Sequence, residues 1–136
     1  MLDIKHILCA IDFSKGTTKV VEKAITISKR FDAKLTVLTV VESLPISVYM
    51  YLDTEMEKET QDQLYALGEK YDLKMTQIKL VTGYPKEVIL NVAKELAVDL
   101  IVMGSHGHYG ITRHLLGSTT RVIANAADCD VYIVRC

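Results

Sequence analysis

The sequence predicts an α/β fold, an open five-stranded parallel sheet with helices on both faces, of the Rossmann-like kind. Two observations lead there. Short apolar, β-branched runs alternate along the chain with longer segments whose apolar residues recur at three- and four-residue steps. The runs are apolar almost throughout rather than at every second residue, as expected of strands covered on two faces. Strand and helix alternating in this way make parallel strands joined by crossover helices.

The first run, His6-Ile7-Leu8-Cys9-Ala10-Ile11, ends at Asp12. Val20, Val21, Ala24, Ile25, Ile27 and Phe31 follow at helical spacing and predict a helix over about residues 17–31. Leu35-Thr36-Val37-Leu38-Thr39-Val40-Val41 reads as a second buried strand, closed by Pro45. Residues 42–53 carry weak period, and the polar stretch from Glu55 to Tyr71 reads as a solvated helix with a narrow stripe of Met56, Leu64, Leu67 and Tyr71. Met75, Ile78, Leu80 and Val81 predict a third strand ending at Gly83. Pro85 suits the first turn of the next helix, whose buried face is Val88, Ile89, Val92, Ala93 and Leu96. Asp99-Leu100-Ile101-Val102-Met103 is the fourth strand. After it, Ser118 is placed to cap a helix carrying Val122, Ile123 and Ala126. Val131-Tyr132-Ile133-Val134 is the fifth strand.

A chain of 136 residues, 49% hydrophobic and with only 7 Gly and 2 Pro, is expected to form one domain over residues 1–136 with a sizeable core. Sixteen Lys+Arg stand against 17 Asp+Glu, a net charge of −1, so no bulk positive field exists to hold nucleic acid or an anionic membrane. No apolar run approaches the roughly 18 residues of a spanning helix. Charges at Asp3 and Lys5 occupy the place of a signal peptide's apolar stretch. A cytoplasmic protein is expected. Cys9, Cys129 and Cys136 show no paired spacing; the first two read as small hydrophobes and Cys136 as an exposed thiol.

In an open parallel sheet, ligands bind beyond the carboxyl ends of the strands, near the point where strand order reverses. Asp12, Val40 and the segment Gly104-Ser105-His106-Gly107-His108-Tyr109-Gly110 all fall at such ends. Gly104-x-x-Gly107, nine residues, then Gly117-Ser118 sets two turns without side chains before a helix start. Glycine lets backbone N–H groups approach an anion, and a helix N-terminus adds donors and a positive dipole end; Ser118 and Thr119 add hydroxyls. The same glycines also serve as plain turns. Asp12 can accept from a ribose hydroxyl or an amine, or can act as a turn former before Ser14. The sequence has no Walker A loop, no Gly-x-Gly-x-x-Gly fingerprint, no Gly-x-Ser-x-Gly elbow, no His-Glu-x-x-His helix and no Cys-x-x-Cys pair. No residue is marked out for catalysis.

With these motifs the chain resembles the ATP-binding, single-domain branch of the universal stress protein family. The resemblance spans nearly the whole length. It rests on His6 to Ser14, on Asp99 to Gly107, and on the spacing met by Gly104, Gly107, Gly117 and Ser118. It implies an adenine nucleotide α-hydrolase-like fold, with Asp12 and the backbone near Val40 at the adenosine end of ATP. Gly104, Gly107, Gly117, Ser118 and Thr119 would hold ribose and phosphates, with Mg²⁺ bridging the phosphates. It also implies a homodimer through the last strand, where Val131 and Ile133 lie on an apolar edge without Pro.

His106, His108 and His114 lack a neighbouring carboxylate or thiolate, so a role near phosphate is expected rather than a metal site. Arg113 and Arg121 are within sequence reach of phosphates, but an Arg flanking a helix is more often solvated, and Tyr109 can shield a ligand or cover the core. Three functions fit: a regulatory ATP-binding protein with little or slow hydrolysis, a slow ATPase or nucleotidyl enzyme, and a nucleotide-free dimeric interaction module.

Overall fold

The computed structural model describes residues 2–42, 50–106 and 115–136, of which 50–54 as backbone alone. Five strands form one sheet in the order β3-β2-β1-β4-β5: β1 His6–Ile11, β2 Lys34–Glu42, β3 Ile78–Gly83, β4 Leu100–Gly104 and β5 Asp130–Val134. Every pairing is parallel, with Cys9 opposite Val37 on one side and Val102 on the other. Strand order reverses between β1 and β4, which makes their carboxyl ends the crevice of the sheet.

Helices cover both faces. On one, Val20, Val21 and Ala24 of α1 (Thr17–Phe31) and Leu64 and Leu67 of α2 (Met50–Lys70) pack on Ile7, Cys9, Val37 and Val102. On the other, Ile89, Val92 and Ala93 of α3 (Pro85–Glu95) and Ile123 of α4 (Ser118–Ala126) pack on Leu8, Leu38 and Ile101. The continuous apolar runs of β1, β2 and β4 follow from this double burial. Each fully buried Leu or Ile contributes about 1.5–3 kcal/mol.

α1 spans the predicted residues because its apolar stripe ends where Asp32 turns left-handed (φ 51) and donates to the carbonyl of Lys29. Three other boundaries move. α2 begins at Met50 rather than Glu55, since a helix satisfies its own backbone without needing an apolar stripe. Met75 belongs to a single 3-10 turn, closed when Gln77 donates its N–H to the Lys74 carbonyl and accepts the Lys74 N–H on its side chain. β4 starts after Asp99, whose carboxylate accepts the N–H groups of Lys5 and His6. Residues 43–49, with Pro45 among them, lie outside the described residues. Among the described residues, no helix is long and apolar enough to cross a membrane.

Candidate functional site

A cavity of about 420 Å³ opens at the crevice. β1 contributes Ala10 and Ile11, followed by Asp12 and Phe13; β2 contributes Leu38 to Glu42; Met103 and Gly104 come from β4. The start of α1 supplies Gly16 and Thr17, and the start of α4 supplies Gly117 to Thr120. Asp12, Val40, Gly104, Gly117, Ser118 and Thr119, more than a hundred residues apart at the extremes, therefore share one cavity. Gly107, His108, Tyr109, Arg113 and His114 lie outside the described residues.

Asp12 sits in a tight turn and accepts the Ser14 N–H on its carboxylate at 3.0 Å, as a turn former does. Beside it, Phe13 takes the left-handed backbone (φ 58), a conformation that costs a non-glycine residue roughly 1–3 kcal/mol. Phe13 repays this by packing against the α1 core. The turn thus aims Asp12 at the cavity while α1 starts immediately behind it.

Ser105, fully buried, ties one wall of the cavity together. Its N–H donates to the Val134 carbonyl and its carbonyl accepts the Gly117 N–H, both at 2.8 Å. Its hydroxyl accepts the Cys136 N–H at 3.1 Å and lies 3.0 Å from His106 Nδ1. A hydroxyl that accepts from Cys136 has its proton to give to Nδ1, which leaves the neutral ring's hydrogen on Nε2. Among the described residues, His106 Nε2 is buried without a partner, and His106 lines the cavity.

Ser118, expected from the sequence to cap α4, is its first residue. Gly117 holds the cap position in extended backbone (φ −62, ψ 160), fixed by its bond to Ser105, and makes no side-chain cap. The first-turn N–H groups of Ser118 to Thr120 have no partner within the helix, and all three residues line the cavity. Thr120 donates its hydroxyl to the Gly104 carbonyl at 2.8 Å, locking α4 to β4. The packing at Gly104 is tight: a Cβ there would lie 3.1 Å from Cys136 Sγ and 3.3 Å from Val20 Cγ2.

Several lining residues carried no sequence signal. Met56, Thr60 and Gln63 of α2 reach the cavity, so Met56 is exposed rather than part of the buried stripe. Thr17 is buried, and among the described residues its hydroxyl has no partner. Cys136 is exposed and lines the cavity. Ordinary small polar residues acquire these places only through crossover connections, which no local spacing records. Among the described residues, no three or more His, Cys, Asp or Glu stand together as a metal group.

A five-stranded parallel sheet covered by helices, with a crevice at its carboxyl end, defines an open-sheet α/β protein. The chain belongs to the universal stress protein family, whose model matches residues 3–135. It is 32% identical to universal stress protein A homolog 1 of Coxiella burnetii, over 96% of this chain and 95% of that protein. The universal stress protein UspA from Lactobacillus plantarum has a similar structure, with TM-score 0.85 and 26% identity over 99% of this chain and all of that one. A universal stress protein solved in complex with cAMP shares the fold at TM-score 0.60 and 24% identity, with 98% of each chain covered.

Proposed function

We propose that this protein binds ATP at the carboxyl end of its sheet and acts as a regulatory stress-response protein in the cytoplasm, with little or slow hydrolysis. The observation that carries this reading is the shared cavity of Asp12, Val40, Gly104, Gly117, Ser118 and Thr119, with first-turn N–H groups of α4 along the same wall. The complex of a family member with cAMP supports an adenine nucleotide as ligand. The apolar end of β2 suits a base, with backbone groups near Val40 as its polar partners. Asp12 suits a ribose hydroxyl. The α4 N-terminus, the Ser118 and Thr119 hydroxyls and His106 Nε2 suit phosphates, and Gly107 joins them by its place in the motif. Orphaned donors fit an anion, because an acceptor removes a desolvation cost of about 1–3 kcal/mol per buried group. Mg²⁺ would neutralise phosphate charge when bound, with Asp12 and the two hydroxyls as the oxygen donors at hand.

A homodimer through the outer edge of β5 belongs to the same reading. That edge is free of Pro, with Val131 and Ile133 half-buried and Tyr132 exposed. The test is calorimetric titration of nucleotide-stripped protein with MgATP, repeated on Gly107→Val and Asp12→Ala. Micromolar binding, about −8 kcal/mol, that is lost in both variants supports the reading. Absence of heat with ATP, ADP and AMP alike favours an interaction module whose glycines are turns.

A further inference from the structure

We propose that Cys136 is a reversible thiol-modification site whose adduct with a low-molecular-weight disulfide of the glutathione class fills the phosphate side of the cavity and shuts out nucleotide. The inference rests on the nucleotide reading above. Cys136 is the exposed member of the three free cysteines and the one that lines the cavity. Cys9 is fully buried, and burial pushes its thiol up to about 12, beyond reach as a thiolate. Cys129 is half-buried on the opposite helix layer and is likewise pushed up by burial.

The fold gives the Cys136 sulfur a seat. The residue is held by its N–H on Ser105 Oγ at 3.1 Å, and the thiol makes a weak 3.4 Å contact to the Val134 carbonyl. Gly16 and Gly104 supply the space: the sulfur occupies the place a Cβ on Gly16 would need and lies 3.1 Å from where one on Gly104 would be. Two features lie beside that seat. Thr17, next to Gly16, is 8% exposed, and among the described residues its buried hydroxyl has no partner. His106 Nε2, held through the same Ser105, has none among them either. A peptide-like adduct on Cys136 places carboxylates and carbonyls in the cavity that Thr17 and His106 also line, and its surplus of carboxylate over ammonium charge opposes incoming phosphates.

The chemistry is thiol–disulfide exchange. The Cys136 thiol gives its proton to solvent and the thiolate attacks one sulfur of the disulfide. A new S–S bond forms, the old one breaks, and the second half departs as a thiolate. A dithiol reverses the exchange.

The test treats the nucleotide-stripped full chain with oxidised glutathione, maps the adduct by peptide mass, and titrates MgATP before treatment, after it, and after dithiothreitol. Expected are an adduct on Cys136, affinity weakened at least about tenfold, recovery on reduction, and slower modification when MgATP is saturating. In Cys136→Ser, treatment should leave that variant's own titration where it stood. A Cys136 adduct with unchanged affinity, or modification confined to Cys129, overturns the inference while leaving the nucleotide reading in place. No binding by the untreated protein overturns both.

Discussion

Replacing Ser105 by Ala separates the scaffold of the cavity from its ligand chemistry. The hydroxyl is fully buried and serves two partners, the Cys136 N–H at 3.1 Å and His106 Nδ1 at 3.0 Å. Each bond contributes a net 0.5–1.5 kcal/mol on a rough scale, so losing both costs about 1–3 kcal/mol. For a chain of this length that is a fall in Tm of roughly 3–12 °C, at about 3–4 °C per kcal/mol. The backbone bonds from Ser105 to Val134 and Gly117 survive the change, so the fold should persist. Freed from the hydroxyl, the His106 ring loses its fixed tautomer, and MgATP affinity should fall by about tenfold. Thermal unfolding by circular dichroism and titration on the same sample read the two effects. A Tm within about 1 °C of the parent would refute the account of Ser105, since even the smallest contribution assigned to it exceeds that shift.

Other outcomes follow from the same structure. His106→Ala removes a ring that lines the cavity and should weaken MgATP binding several-fold in the same titration; an unchanged affinity would remove His106 from the ligand-binding wall. Ile133→Asp places a charge on the edge strand β5; with the proposed pairing through that edge, light scattering should report a dimer for the parent and the 15.2 kDa monomer for the variant, with the far-ultraviolet spectrum retained. Burial lowers the His6 pKa from 6.5, outweighing the raising effects of the Leu96 backbone and Asp99, while Lys34 lowers it further. The unfolded chain then binds more protons, so this part of stability is complete above about pH 6.5 and is lost as pH falls toward the lowered value. The urea midpoint should therefore drop between about pH 7 and 5.5 in the parent and less so in His6→Gln, whose amide can still reach Thr36, the present partner of the ring at 2.9 Å.

The elements most legible in the sequence were those whose pattern is set by burial on both faces, β1, β2 and β4, and α1, whose stripe ends at a left-handed Asp32. β-branched residues in unbroken runs admit few other placements. The start of α2 was hidden because a solvated helix needs no stripe, and Met75 because a local Lys74–Gln77 bond outcompeted the sheet. Within the site, residues at strand ends could be named in advance from chain direction alone: Asp12, Val40 and Gly104 lie where parallel topology puts them. Thr17, Ser105 and Cys136 could not. Their roles arise where β4, β5 and the start of α1 converge, and a serine in Gly-Ser-His looks the same whether it faces water or knots three elements together.

The walls of the cavity run from Ala10 to Cys136, and β1 is joined to β4 by pairs such as Ile7 with Leu100, 93 positions apart. No fragment of the chain contains a partial site worth having. Parallel strands close such distances only late, after large loops have been ordered, so ligand competence should appear together with the completed sheet rather than ahead of it. Bound nucleotide would consequently slow amide exchange in β1, β4 and β5 as one cooperative unit, by RT ln(1 + [L]/Kd), instead of quieting a single loop. For a cell, occupancy of this crevice would serve as a readout that the whole chain has been folded to the end.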